Sequence, residues 1–344
     1  MANEPVAPHS HPRDSDLPPE GRVSRWKLFV PVGALFALFG ALAVFWFWSI
    51  RTADAQIDAW IAREASLGRV WTCPERSLGG FPFRIQVQCL KPRFTRTDSP
   101  MKGELDAIRA VAQIYQPTLM IIEADGPLQL DDGRSLYKLD WTVLRASLRG
   151  RPGERLDRLS VEGSDVVLNW TDAMGTARTA AAAKAAFHIR RDLERPAADH
   201  AYEIATSLVG FAFPALDAIT GGTGQAALTF VGGLTHADPF AGQGLQRELE
   251  RWRQAGGKML IRDFSISKDA SRLAVQGELA LDDRARPQGM LDINMTGLDN
   301  AMKMLGMPPL RGENGGQTAT LKLRFDRGQI FLGPIPLGKT FPLY

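Results

Sequence analysis

The feature that most constrains this chain is a stretch of consecutive residues, 28–50, that contains no charged side chain. As an α-helix this stretch would extend over about 34 Å, slightly more than the hydrocarbon core of a bilayer. Trp26 at one end and Trp46 and Trp48 at the other suit the two interfacial belts of a membrane. The stretch therefore predicts a single membrane-spanning helix, because a buried core helix of this length rarely lacks charge on every face.

The charges that flank this stretch predict its orientation. Arg22, Arg25 and Lys27 immediately precede it, whereas the charges that follow it are mixed in sign. The positive-inside rule then places the N-terminus in the cytoplasm and the rest of the chain on the exported side.

This orientation divides the chain into three regions. Residues 1–27 are rich in proline and poor in apolar side chains, so we expect a disordered cytoplasmic tail. Residues 28–50 form the anchor, and residues 51–344 form an exported, β-rich domain. The alternative is a cleaved signal peptide, because Ala53-Asp54-Ala55 resembles a small-residue cleavage site. An uncleaved anchor is favoured, since the apolar region of a secretory signal usually has about 7–15 residues.

Composition excludes several classes of function. The net charge is +3, from 41 basic and 38 acidic residues, so no concentrated basic surface predicts a nucleic-acid partner. Zinc-binding, phosphate-binding and esterase motifs are absent from the sequence, and it predicts no catalytic residue, cofactor or metal ligand. A hydrolase would require His188, His200 or His236 to converge with carboxylates. Asp131-Asp132 and Asp282-Asp283 pair carboxylates, but at predicted turns, where Asp is favoured for its own backbone hydrogen bonds.

The two cysteines, Cys73 and Cys89, both follow the anchor. Because export favours oxidation, we predict a structural disulfide between them, which would stabilise the fold by about 3 kcal/mol in the chain-entropy model. A redox-active pair is disfavoured, because the short spacing typical of such pairs is missing. Two unpaired buried thiols remain the alternative.

Alternation of apolar and polar residues predicts that the exported region is mostly strand. In residues 84–90, Ile85, Val87 and Cys89 face one way and the intervening polar residues face the other. Short turns between strands imply antiparallel pairing. The fold class is therefore α+β, with an N-terminal transmembrane helix followed by a long, mainly antiparallel curved sheet. The predicted strands are 84–90, 119–124, 126–130, 135–144, 158–161, 166–170, 186–190, 202–209, 258–267, 272–281, 290–297, 318–326 and 329–332.

A few amphipathic helices are expected to cover part of this sheet. Residues 54–66, 244–255 and 299–305 have helical periodicity or helix-capping residues. The alanine-rich residues 177–186 could form a helix or begin a strand, and the sequence leaves both open.

A Gly-Gly-Phe-Pro-Phe-Arg segment between the cysteines is the one candidate binding loop. Phe81, Pro82 and Phe83 could expose two aromatic rings to lipid. The alternative is a turn whose glycines permit positive φ and whose phenylalanines close the end of the core beside the disulfide.

This segment also carries a family resemblance. Residues 78–89, preceded by Trp71 and Cys73, are similar to the GGFPFR signature of the alphaproteobacterial family known as domain of unknown function 2125 (DUF2125). The end of the chain, from Gly333-Pro334 to Pro342-Leu343-Tyr344, resembles that family's ending, although Phe341 stands where a proline is expected. Residues 277–297 resemble, more weakly, a repeat of the AsmA-like envelope proteins.

The resemblances imply a function, and the uncharged stretch a location. The DUF2125 resemblance implies no enzymatic activity, and the AsmA-like resemblance implies a role in outer-membrane biogenesis and phospholipid movement. The uncharged stretch and its flanking charges predict the location, a single-pass protein of the inner membrane with a periplasmic domain. We therefore expect a non-enzymatic protein that binds phospholipid through an apolar sheet face. The alternative is a structural protein with a closed core, whose partner is another envelope protein.

Overall fold

The computed structural model describes residues 26–150, 156–171, 174–220, 222–237, 245–297 and 318–344. The described part of the chain begins with one long helix and continues as a meander of antiparallel strands. The predicted tail (1–27), apart from its last two residues, and the predicted helix at 299–305 lie outside the described residues.

Helix α1 extends without interruption over Trp26–Ser66. The anchor and the amphipathic helix predicted at 54–66 are therefore one helix, because no residue between them ends it. The described side chains before Leu42 are exposed around the whole circumference of α1, whereas a stripe of buried and half-buried side chains follows the positions 46, 50, 53, 57, 61 and 64. This spacing of three to four residues marks the face with which α1 lies against the sheet.

Eighteen strands follow among the described residues. Their bounds are Arg69–Thr72 (β1), Glu75–Gly79 (β2), Arg84–Leu90 (β3), Arg93–Arg96 (β4), Lys102–Gln113 (β5), Gln116–Asp131 (β6), Leu136–Asp140 (β7), Val143–Gly150 (β8), Leu156–Thr171 (β9), Ala177–Arg191 (β10), Tyr202–Phe211 (β11), Ala226–Leu234 (β12), Met259–Lys268 (β13), Ser271–Leu281 (β14), Pro287–Thr296 (β15), Thr318–Asp326 (β16), Gln329–Leu332 (β17) and Ile335–Lys339 (β18). The predicted antiparallel sheet is thus confirmed.

Nearly every strand pairs with the next one along the chain. Strands β1 and β2 form one edge, where β1 pairs with β4 and β2 with β3. Both β3 and β4 pair with β5, β5 pairs with β6, and β6 pairs with β7 and β8. Strands β7 and β8 both pair with β9. From β9 onward each strand pairs with the next one along the chain, as far as β18.

In the part of the chain that the structure describes, two short α-helices lie between strands of the sheet. Helix α2 covers Pro214–Thr220 and helix α3 covers Leu245–Gln254, the latter close to its predicted bounds. In α3 the buried Trp252 indole donates a hydrogen bond of 2.7 Å to the Thr235 carbonyl oxygen. The alanine-rich residues 177–186 form part of strand β10.

Candidate functional site

The strand registers align residues into rows that run across the sheet and are apolar except at Thr206. The middle row begins at Leu78 in β2 and Val87 in β3, and directly opposed residues continue it from strand to strand as far as β16. Its remaining members are Ala110, Ile122, Ala146, Val161, Phe187, Thr206, Phe230, Phe264, Val275, Ile293 and Leu321.

A parallel row lies on each side of the middle row. One contains Ile85, Ala112, Met120, Leu148, Leu159, Ile189, Ile204, Gly232, Ile261, Gly277, Leu291 and Leu323; the other contains Cys89, Ile108, Ala124, Leu144, Gly163, Ala185, Leu208, Leu228, Ile266, Leu273, Met295 and Ala319. We call these three rows the apolar face. Directly opposed residues in antiparallel strands share a face of the sheet, so the apolar face is continuous from β3 to β16.

The opposite face of the same strands is polar. Between two of the apolar rows, Arg109 in β5 is opposed to Glu123 in β6, and Glu123 to Arg145 in β8. The Arg145 guanidinium lies 2.8 Å from the Glu123 carboxylate, and that of Arg109 lies 3.6 Å from it. The sheet is therefore amphipathic.

Standard strand spacings give the dimensions of the apolar face. Twelve strands at about 4.8 Å make it about 50 Å long, and three rows of alternate residues make it about 14 Å wide. These dimensions would accommodate extended acyl chains.

The apolar face is only partly shielded from solvent. Most of its side chains are half-buried, and Phe187 is 36% exposed. None of the large side chains in the described part of the chain is less than 2% exposed. A sealed sandwich of this size would enclose fully buried large side chains, so the described residues have the character of an open apolar surface.

Helix α1 lies along the edge at which the apolar face begins. The Trp60 and Trp71 rings are 5.8 Å apart, and the Trp71 and Phe94 rings are 4.6 Å apart. Arg69 in β1 donates hydrogen bonds of 2.6 and 2.9 Å to the Glu64 carboxylate, and these lower the pKa of Glu64.

The contact between α1 and the first strands of the sheet continues towards the apolar half of the helix, through charged and aromatic groups. The hydrogen bond to Asp58, together with the charges of Asp54 and Asp58, raises the pKa of Arg76 in β2. The Trp46 indole is 7% exposed and donates a hydrogen bond of 2.9 Å to the Arg84 carbonyl oxygen. Its ring meets that of Phe81 edge to face at 5.4 Å.

The predicted binding loop therefore lies beside α1. Phe81 is 49% exposed and Phe83 is 60% exposed, and the Phe81–Pro82 peptide bond is cis. The structure thus brings Phe81 into contact with Trp46, a contact that local sequence reasoning missed.

A disulfide joins Cys73 to Cys89 in the structure, with the Cα atoms 5.8 Å apart. Cys73 follows β1, and Cys89 belongs to the apolar face. The bridge therefore ties the edge of the sheet beside α1 to strand β3.

The three histidines do not gather at one point. His200 and His236 lie in neighbouring segments, since the His236 amide donates to the Asp199 carbonyl oxygen at 2.7 Å. His188 in β10 is opposed to Ala205, three residues or about 10 Å along β11 from Tyr202, the first residue of the strand that follows His200. The described residues contain no group of three or more potential metal ligands.

The paired carboxylates act within their turns. Asp132 Oδ1 accepts hydrogen bonds from the amides of Arg134 and Ser135, at 2.8 and 2.7 Å. Asp282 accepts from the amides of Arg284 and Arg286 in the same way, both at 2.9 Å. These hydrogen bonds are the turn chemistry that the sequence predicts.

The end of the chain is held on helix α3. The Tyr344 hydroxyl donates a hydrogen bond of 2.7 Å to Glu250 Oε2, and the Leu343 amide donates one of 3.0 Å to the Ala285 carbonyl oxygen. Hydrogen bonds from Arg253 and then from Tyr344 lower the pKa of Glu250 from 4.5 to about 2.

Comparisons with known proteins identify a family but no characterised relative. A family model described as an uncharacterized protein conserved in bacteria, DUF2125, matches residues 46–340, which include the whole sheet and the part of α1 that contacts it. No curated protein and no solved structure matches the chain. The α1 helix is by length and composition a candidate membrane anchor or signal sequence. The chain belongs to the DUF2125 family.

Proposed function

We propose that this chain is a non-enzymatic, inner-membrane-anchored protein whose exported domain binds the acyl chains of phospholipids along its apolar face. The observation that carries this proposal is the continuity of three apolar rows over twelve strands. A solvated protein rarely exposes so large an apolar surface, unless the surface binds a ligand, a partner or a membrane.

Lipid is favoured as the ligand because of where the apolar face begins. Its first strands lie against α1, whose first half has the composition of a membrane span. An acyl chain leaving the bilayer along α1 would therefore meet the first strands of the apolar face, beside the ion pairs that Arg76 makes with Asp54 and Asp58. The weaker resemblance to AsmA-like proteins stays a prediction.

Retention of the helix is supported by its contacts. The small residues Ala53 and Ala55 lie inside α1, and Asp54 between them is paired with Arg76 at 2.9 Å. Cleavage there would remove Trp46 and its hydrogen bond to Arg84 from the domain. We therefore propose an uncleaved anchor with the sheet in the periplasm.

The test compares phospholipid bound to variants of the full chain purified in a mild detergent. Phe187→Glu places a charge on the apolar face at a partly exposed position. Val209→Glu is the matched control, because Val209 is 51% exposed and adjoins Leu208 of the apolar face but points to the opposite side of β11.

We expect mass spectrometry to find less phospholipid per protein for F187E than for the wild type, and an unchanged amount for V209E. Circular dichroism checks that both variants keep their strand content. Equal lipid in all three proteins would contradict the proposal and favour a closed interaction protein.

A further inference from the structure

The loop between β2 and β3 is a rigid turn that presents two aromatic rings. The Arg84 amide donates a hydrogen bond of 3.1 Å to the Gly80 carbonyl oxygen. Gly80 has φ +104°, and a Cβ there would lie 2.6 Å from the Arg84 carbonyl oxygen, so the turn requires glycine. Phe81 and Phe83 are thereby held at the surface in a fixed geometry.

A third aromatic ring lies at the same end of the sheet. The Ile114 amide, in the turn between β5 and β6, donates a hydrogen bond of 3.0 Å to the Phe83 carbonyl oxygen. The next residue, Tyr115, is 73% exposed. We call Phe81, Phe83 and Tyr115 the aromatic tip.

Contacts with α1 fix the height of the aromatic tip relative to the membrane. Trp46, which contacts Phe81, lies four residues or about 6 Å inside the uncharged stretch that ends at residue 50. Arg76, five residues before Phe81, pairs with Asp54 and Asp58. The five residues from Arg76 to Phe81 span about 16 Å as a strand. Position 56, midway between Asp54 and Asp58, lies ten helical residues or about 15 Å from Trp46. The two lengths agree, so β2 runs alongside α1 towards the bilayer.

We propose that the aromatic tip inserts into the interfacial layer of the phospholipid bilayer that α1 crosses, on its exported side. The ring of Tyr115 is of the amphipathic kind that is favoured at that layer, and exposed Phe rings such as those of Phe81 and Phe83 bury themselves at the boundary between headgroups and acyl chains. The contact of Phe81 with Trp46 places the aromatic tip near that boundary. Arg84, next to Phe83, can extend its guanidinium to the phosphate groups. Insertion of the tip sets the start of the apolar face at the bilayer surface. The inference rests on the anchored topology proposed above.

The test uses the full chain in phospholipid nanodiscs, with a photoreactive benzoylphenylalanine replacing one residue at a time. Phe83 and Tyr115 report on the aromatic tip. Leu136 is the matched control, because it is 55% exposed and follows the far end of β6, about 50 Å from Tyr115. Phe36, 73% exposed in the apolar half of α1, reports on the anchor itself.

We expect irradiation to attach phospholipid at positions 36, 83 and 115 and to leave position 136 at the background of an unirradiated sample. Labelling at 36 without labelling at 83 and 115 would overturn the insertion while leaving the anchor and the lipid-binding face intact. Loss of labelling at 36 as well would overturn both the insertion and the anchor. Labelling at 136 equal to that at 83 would also overturn insertion, because it would show that phospholipid reaches exposed side chains far from the aromatic tip as readily as those of the tip itself.

Discussion

Arg76 Nη2 lies 2.9 Å from Asp54 Oδ1, and this ion pair joins the edge of the sheet to the helix just beyond the uncharged stretch. Asp58, one turn further along α1, accepts from Arg76 Nη1 at 2.8 Å. The helix and the sheet are therefore connected by charge at this level, and by aromatic contacts at Trp46 below it and at Trp60 above it. The helix is thus held at three levels along the sheet edge.

The first prediction concerns this ion pair. Arg76→Met keeps much of the side-chain length but removes the charge, so we expect amide hydrogen exchange in residues 51–66 to become faster. Because Asp54 and Asp58 are partly exposed, the free energy of local opening should fall by only about 1 kcal/mol or less. Arg93→Met is the control, since Arg93 pairs with Glu104 of β5 and not with α1. Unchanged exchange in R76M would show that the aromatic contacts alone hold the helix.

The second prediction concerns the disulfide. Replacing both Cys73 and Cys89 with serine should lower the free energy of unfolding by about 3 kcal/mol, because the bridge closes a loop of 16 residues. Denaturant unfolding of the full chain in detergent measures this loss. Alkylation of intact cells before lysis should find no free thiol in the wild type. Two free thiols in that experiment would contradict an oxidising compartment.

The third prediction concerns topology. Alkaline phosphatase fused after Tyr344 should be active in cells, because that enzyme requires an exported, oxidising location, whereas green fluorescent protein exported in unfolded form should stay dark. Moving Arg22, Arg25 and Lys27 to the other side of the uncharged stretch should reduce the phosphatase activity, since these charges orient the helix. If the green fluorescent protein fusion were fluorescent and the phosphatase fusion inactive, the domain would lie in the cytoplasm.

The fourth prediction concerns pH. Because the pKa of Glu250 is lowered to about 2, its hydrogen bonds stabilise the packing of α3 fully above pH 4.5 and lose that effect as the pH falls towards 2. Tyr344→Phe removes one of these bonds and so lowers the pKa of Glu250 less, and the loss should therefore be smaller and complete at a higher pH. Protection of the α3 amides, corrected for the intrinsic pH dependence of exchange, measures the effect. Tyr115→Phe, in the turn between β5 and β6, should leave the profile unchanged.

Several strands could be predicted because their alternation is local. Strands β3, β11, β14 and β17 have bounds within two residues of those expected from the sequence. Strand β5 was missed because an irregularity between Leu105 and Ala107 shifts the alternation halfway along it. The end of strand β10 was predicted at 186–190, but its alanine-rich first part, 177–186, could not be assigned, since alanine favours helix and only the pairing with β9 and β11 overrides that preference.

Some strand boundaries were drawn wrongly for a related reason. Residues 119–124 and 126–130 are one strand, β6, because its first part pairs with β8 and its last part with β7. Pro127 lies near the exchange of partners, and the sequence alone suggests a break there. Residues 135–144, predicted as one strand, are divided between β7 and β8. Helix α2 and the strands β1, β2 and β4 were not predicted, because they are short and local periodicity is weakest in short elements.

The apolar face could be predicted in kind but not in extent. Alternation at Ile85, Val87 and Cys89 predicts one apolar side of one strand. Alignment of such sides across twelve strands depends on the register of each pair, and a slip by one residue would interrupt the face. The contact of Trp46 with Phe81 and Arg84 joins residues far apart in sequence, and no local pattern encodes it.

The most direct test of the lipid-binding face is a photo-crosslinking scan along β6 from Leu119 to Ala124, made with the full chain in phospholipid nanodiscs. Met120, Ile122 and Ala124 belong to the apolar face, whereas Ile121, 42% exposed, points to the other side. Labelling by phospholipid should therefore alternate, present at 120, 122 and 124 and absent at 119, 121 and 123. Equal labelling of positions 121 and 122, or labelling of neither, would contradict binding of lipid by the apolar face.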